Sequence, residues 1–217
     1  MTTSSKRRFA ALAASVAWAA LLLQLWLTVN VVLGQGRGFA MGLVVYFGFF
    51  TVLTNLLAAL CLSAFAAGPR VPGHRVLTHA AAITTVTAAI AMVGLVYFFV
   101  LRHTWKPEGA QFAADAALHY LVPMLMLLFW LWVVPGGAVR RGTWPWLFVY
   151  PLGYLFYVFV RGEILGIYPY FFIDVGQIGY GLALRNSMEV LVAYGAVVAL
   201  LTGIKHVFAR PLHAARP

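Results

Sequence analysis

The second long apolar stretch of this chain, residues 39–67, reads FAMGLVVYFGFFTVLTNLLAALCLSAFAA. It holds no charged residue, and a helix of this length can cross the roughly 30 Å hydrocarbon core of a bilayer. Thr51, Thr54 and Asn55 lie near its middle. The lipid interior offers no water to polar groups, so such side chains need protein partners or have a function there.

Five further apolar stretches of similar length accompany it, at residues 9–33, 78–101, 112–134, 144–165 and 184–208. The chain is 63% hydrophobic and 9% charged, whereas a soluble domain has about 25% charged residues. Segments rich in Gly, Pro and basic residues separate the stretches. We therefore predict an all-α polytopic membrane protein, with residues 1–217 forming one bundle of six transmembrane helices.

The basic residues predict how this bundle is oriented. A net charge of +10 would suggest nucleic acid in a soluble protein, but here the basic residues flank apolar segments, which excludes that partner and favours membrane lipids. Ten of the fifteen fall on one side: Lys6, Arg7, Arg8, Arg70, Arg75, Arg140, Arg141, Lys205, Arg210 and Arg216. Basic segments stay inside, so we expect a multi-pass protein of the cell membrane with both termini cytoplasmic. The first stretch is too long for a signal peptide.

Cofactor and metal sites are not expected. The one cysteine, Cys61, permits neither a disulfide framework nor a cysteine metal site. Among histidines outside loops and tails, His79 and His119 fall in opposite halves of the predicted membrane. They cannot share an ion, and the chain contains no HExxH motif.

The polar residues of the second stretch share one helical face, because Thr51, Thr54 and Asn55 are spaced i, i+3 and i+4. A threonine hydroxyl can bond to a carbonyl one turn earlier, but the Asn55 amide needs an external partner. Hydrogen bonding between helices is the ordinary explanation of such a face, and catalysis is the alternative.

A second candidate group lies on the fourth stretch, where Asp115 and His119 are spaced i, i+4. A carboxylate beside an imidazole fixes its tautomer and raises its basicity, as a general base requires. Alternatively, the pair is a polar group near the membrane surface. Thr51 and His119 are expected within about 3 Å of each other in depth, and Thr54 about one turn deeper.

The fifth connection, residues 166–183, is aromatic and almost uncharged. Tyr168, Tyr170 and Asp174 belong either to an interfacial aromatic belt or to a cap over a cavity between the helices.

Four polar residues flank this connection. Arg185 and Glu189 are spaced for a salt bridge, and Asn186 lies on another face. Arg161 and Arg185 are alternatively placed to hold a lipid carboxylate.

Four segments together resemble the bacterial branch of the androgen-induced gene family. They are FFTVLTN at 49–55, HYLVP at 119–123, Arg161-Gly162, and YPYFFID at 168–174. The resemblance covers nearly the whole chain in order. Animal members of that family are multi-pass threonine hydrolases that cleave fatty acid esters of hydroxy fatty acids. The chain departs from them in a shorter spacing between His119 and Pro123, and in Asp115 where they carry an amide.

The resemblance implies a lipid-ester hydrolase in which Thr51 is the nucleophile and His119 the general base. Asp115 would orient the histidine, with Thr54 and Asn55 in support and Asn55 as a candidate oxyanion donor. A lipid or fatty-acyl ester would be the substrate. Two other classes stay open: a transporter or channel whose polar face lines a substrate path, and a membrane scaffold without catalysis.

Overall fold

The structure, a computed structural model, describes residues 3–104 and 106–208. Six helices within these ranges are long and apolar enough to cross a membrane, and the ranges contain no strand. This confirms the all-α six-helix prediction. Arg210 and Arg216, on which part of the orientation prediction rests, lie outside the described residues. The helices are α1 Thr3–Gly34, α2 Phe39–Tyr46, α3 Phe50–Ala67, α4 His74–Leu77, α5 Ala80–Leu101, α6 Gly109–Val133, α7 Arg141–Leu165 and α8 Val175–Phe208.

Helix α1 packs closely against α3 through small side chains. Ala13 and Ala17 of α1 and Ala58 and Ala59 of α3 are completely buried. Small residues allow two helix backbones to approach closely. The resulting van der Waals contact stabilises helix pairs in a bilayer, where the hydrophobic effect does not drive helices together. Helix α5 packs on α3, helix α6 on α1 and helix α8 on α5, and Trp130 of α6 is buried in the same core.

The second apolar stretch is not one helix, contrary to the prediction for residues 39–67. α2 ends at Tyr46, and α3 begins at Phe50. Unwound backbone at membrane depth must find hydrogen-bond partners within the protein. Helix α7 supplies them, because Tyr154 donates its hydroxyl to the carbonyl of Gly48 at 3.0 Å and Tyr157 donates to that of Phe47 at 3.2 Å.

Arg161 of α7 also stabilises the break between α2 and α3. It is only 7% exposed, and its guanidinium donates to the carbonyls of Val44 and Ile167, both at 2.9 Å. The Gly48 backbone lies so close that an added Cβ would be 2.9 Å from the Arg161 Cζ. Arg161 therefore ties α2 to the last connection, with one N–H of each Nη bonded to a backbone carbonyl.

Two other boundaries differ from the sequence prediction. α1 starts at Thr3 rather than near residue 9, so Lys6, Arg7 and Arg8 are helical. α8 starts at Val175 rather than at 184, with a break in helical geometry at Gly179. The last connection is consequently short, at residues 166–174, and contains a 3₁₀ turn, Phe171–Ile173.

The packing of this connection onto α7 gives a prediction about stability. The Tyr168 ring lies directly on Gly162, where an added Cβ would be 2.1 Å from Cε1 of the ring. We expect Gly162→Ala to displace Tyr168 and to lower the free energy of unfolding by ~2 kcal/mol. That corresponds to a Tm about 5 °C lower for a chain of this size. Gly153→Ala is the matched control, since Gly153 is on the same helix with open space around it. Equal Tm values for the two variants would show that this packing is not tight.

Candidate active site

Thr51 lies in the first turn of α3, directly after the break between α2 and α3. Its side chain is 8% exposed, and its Oγ1 is 3.4 Å from Nε2 of His119 on α6. The hydroxyl and the imidazole thus meet at matching depth. The distance is at the long end of the hydrogen-bond range, which is common in catalytic pairs before substrate tightens them.

His119 is oriented by Asp115, one turn earlier on α6. Its Nδ1 lies 3.0 Å from the Asp115 backbone carbonyl and 3.3 Å from Oδ1 of the Asp115 side chain. A carbonyl only accepts hydrogen bonds, and so does an ionised carboxylate. The neutral ring therefore carries its proton on Nδ1, which leaves the Nε2 lone pair facing the Thr51 hydroxyl.

Tyr97 of α5 contacts both Asp115 and His119, and it was not among the residues predicted from the sequence. Its hydroxyl donates to Oδ2 of Asp115, and its ring stacks on His119 with centroids 4.0 Å apart. In the sequence, Tyr97 is one of three consecutive aromatic residues near the end of the third apolar stretch. No sequence pattern distinguished it, because its placement depends on the packing of α5 against α6.

Helices α5 and α6, which carry Tyr97 and His119, each contain a π-helical turn. The turns Tyr97–Leu101 in α5 and Ala117–Leu121 in α6 have the wider i→i+5 geometry. Such turns occur mostly as single insertions in α-helices and often at functional sites. Here each turn carries one member of the stacked pair, Tyr97 and His119.

Asn55 and Thr54 have structural partners. Asn55 is completely buried, and its Nδ2 donates to the carbonyls of Thr51 at 2.8 Å and Leu118 at 3.2 Å. Both amide protons are therefore used, so Asn55 has none to offer an oxyanion and instead joins α3 to α6. The Thr54 hydroxyl pairs with that of Tyr150 at 2.7 Å, away from His119.

Tyr170 brings the last connection onto the site. Its hydroxyl accepts from the backbone N–H of Thr51 at 3.4 Å and also contacts the Thr51 side chain. Burial raises the pKa of Tyr170, so the phenol stays neutral and keeps a proton to donate at physiological pH. Tyr170 therefore lies directly against Thr51.

The other residues assigned to the cap lie around this connection with different partners. Tyr168 donates to Glu163 at 2.9 Å, and Asp174 accepts from Gln177 at 2.6 Å. Asn186 of α8 donates to the carbonyl of Phe172 at 2.8 Å and so braces the connection. Arg185 forms the expected surface ion pair with Glu189, with 3.5 Å between Nε and Oε1.

Thr51 stands where two cavities meet. The first, which we call the polar cavity, has a volume of about 500 Å³ and opens among α1, α6 and the last connection. The second, the apolar cavity, has a volume of about 80 Å³ and lies among α5, α7 and α8. Both are lined by Thr51, Leu101 and Tyr170. The polar cavity also exposes His119, Asp115, Gln24, Thr28, Gln111 and Arg37.

Besides a third cavity on the flank of the bundle, a fourth cavity of about 30 Å³ lies at the opposite end of the bundle, beside Trp130 and Lys205. It shares no lining residue with the cavities at Thr51. Within residues 3–104 and 106–208, no three His, Cys, Asp or Glu side chains are grouped so that they could hold a metal ion.

Comparisons of this chain with protein-family models, with curated proteins and with solved structures found no match.

Proposed function

We propose that the protein is an intramembrane lipid-ester hydrolase in which Thr51 is the nucleophile and His119 the general base. The observation that carries this proposal is the series Thr51, His119, Asp115 and Tyr97, linked by direct contacts at the junction of two cavities. A nucleophile in reach of a base, which a third group orients, is the recurring arrangement of covalent hydrolases.

The reaction follows from the positions of the protons. His119 Nε2 takes the proton of the Thr51 hydroxyl as Oγ1 bonds to the ester carbonyl carbon. The bond from that carbon to the alcohol oxygen then breaks, and His119 returns the proton to the departing alcohol. A water molecule repeats the sequence on the acyl-threonine, which releases the fatty acid and restores Thr51. Asp115 stabilises the imidazolium that forms in each half.

The oxyanion needs hydrogen-bond donors, and the geometry favours Tyr170 for this task in place of Asn55. The Tyr170 hydroxyl lies beside Thr51, and the N-terminus of α3 adds the positive end of its helix dipole at the same point. A neutral phenol with a free proton is a suitable donor to a developing negative charge.

Tyr170→Phe tests this role. We expect kcat for ester hydrolysis to fall about 100-fold with little change in KM, because the lost hydrogen bond forms mainly in the transition state. Tyr180→Phe is the control, since it also removes a tyrosine hydroxyl but Tyr180 is exposed and lines neither cavity. An unchanged kcat in Tyr170→Phe would remove Tyr170 from the mechanism.

The proposed substrate is a long-chain ester, such as a fatty acid ester of a hydroxy fatty acid, as the resemblance implies. The proposed location is the cell membrane with both termini cytoplasmic, so that the site opens in the outer half. A transport path would need continuity to the other face, and the separate fourth cavity gives no support for one.

The experiment is hydrolysis by the purified protein in nanodiscs, with release of free fatty acid measured by mass spectrometry from a panel of long-chain esters. Turnover by the wild-type protein and its loss in His119→Ala support the proposal. Equal, background-level release by both would refute it.

A further inference from the structure

A third cavity adjoins the site and opens on the flank of the bundle. It is a groove of about 500 Å³ between α5 and α8, which we call the lateral groove. On the α5 side, Leu95, Phe99 and Val100 are exposed. On the α8 side, the groove is lined by Asn186, Glu189, Val190 and Ala193.

The lateral groove adjoins the apolar cavity at Thr51. Four residues line both spaces: Met92, Val96, Phe172 and Val190. Since Thr51 lines the apolar cavity, a path from the flank of the bundle to the nucleophile would cross only the layer of side chains that the two spaces share. This path passes between two helices rather than through either end of the bundle.

The walls of the apolar cavity present carbon rather than polar atoms. Tyr154 and Tyr194 direct their hydroxyls to the carbonyls of Gly48 and Leu147. Ser187 bonds back to its own helix at Ala183. With these groups satisfied elsewhere, Thr51 and Tyr170 are the lining residues that still present hydroxyls to this cavity, and the rest of it suits a hydrocarbon chain.

We propose that the apolar cavity and the lateral groove bind the fatty-acyl chain of the ester, which reaches Thr51 from the bilayer between α5 and α8. The inference rests on the proposed function and assigns the two sides of the scissile bond. The acyl carbonyl lies at Thr51, its chain extends past Val96 and Val190, and the alcohol part lies in the polar cavity with His119. The polar cavity offers amides, hydroxyls and Arg37, which suit the more polar part of the molecule.

Val190→Trp tests the path, because Val190 lines both spaces where they join. We expect turnover of a palmitoyl ester to fall at least about tenfold, while turnover of the matching acetyl ester stays within about twofold. Val192→Trp is the matched control, since Val192 is 67% exposed two residues along α8 and lines none of the cavities. Val96→Trp blocks the same junction from α5 and serves if Val190→Trp fails to fold.

A second readout does not depend on catalysis. A diazirine-bearing palmitic acid, photolysed with wild-type protein in nanodiscs, is expected to label peptides of α5 and α8 at the groove, and Val190→Trp should lose that label. If the wild-type protein is labelled at the groove but hydrolyses no ester, the acyl-chain binding site is supported and the proposed function is refuted. The inference would be overturned if both tryptophan variants lost turnover of the acetyl and palmitoyl esters to the same extent. It would also be overturned if neither variant changed the labelling.

Discussion

Replacing Thr51 by alanine is expected to reduce hydrolysis of long-chain esters by about 1,000-fold or more, because the covalent route then has no nucleophile. His119→Ala should cost a similar factor. The double variant should lose little more than either alone, since nucleophile and base act as one unit. Thr51→Ser keeps a hydroxyl near His119 and should retain measurable turnover.

Two threonines serve as controls for this series. Thr87 is completely buried in α5, and its hydroxyl bonds only to the Ile83 carbonyl of its own helix, so Thr87→Ala should keep parental turnover. Thr54→Ala removes the hydrogen bond to Tyr150 and should have a milder effect than Thr51→Ala. Parental turnover in Thr51→Ala, with folding unchanged, would contradict the assignment.

Asp115→Asn should lower kcat by about 100-fold while leaving KM and Tm close to parental. The amide has no negative charge to stabilise the imidazolium of His119. The loss should be smaller than at Thr51, because the Asp115 backbone carbonyl still lies 3.0 Å from Nδ1 and preserves the ring tautomer.

Glu108→Gln is the matched control for Asp115→Asn. Glu108 immediately precedes α6 and is exposed, and its side chain makes no capping hydrogen bond. It should keep parental turnover. If Asp115→Asn also keeps parental turnover, Asp115 is only a buried structural partner of Tyr97. If its Tm falls as steeply as its activity, the effect on the rate is a folding effect.

Composition and hydrophobic length were sufficient to predict six membrane-spanning helices. Depth along those helices also predicted that Thr51 rather than Thr54 lies level with His119, and the structure places them in contact. The first prediction works because crossing the bilayer core needs about 20 apolar residues, so hydrophobic length alone marks a membrane-spanning helix.

The break between α2 and α3 could not be predicted in the same way. Gly48 marks the place, but a glycine inside an apolar helix is tolerated and does not by itself imply unwinding. The break is stabilised by Tyr154, Tyr157 and Arg161, which lie more than a hundred residues further along the chain. The Thr51 environment thus depends on tertiary contacts that a local pattern does not contain.

The hydrogen-bond partners of the candidate residues could not be predicted from the sequence either. Asn55 looked available for an oxyanion, and only the structure shows its amide protons on two carbonyls. Tyr97 and Tyr170 gain their positions from π-helical geometry and from a short connection that folds over α3. Spacing within one helix can suggest a pair such as Asp115 and His119, but not the groups that approach it from other helices.

The most direct test is the site of covalent labelling. The native protein in nanodiscs is treated with a fluorophosphonate carrying a long alkyl chain, and the adduct is located by intact mass and peptide mapping. The account predicts one adduct per chain, on Thr51, that is absent from Thr51→Ala and from His119→Ala. An adduct on Thr54 or Ser63, or labelling that persists undiminished in Thr51→Ala, would contradict it.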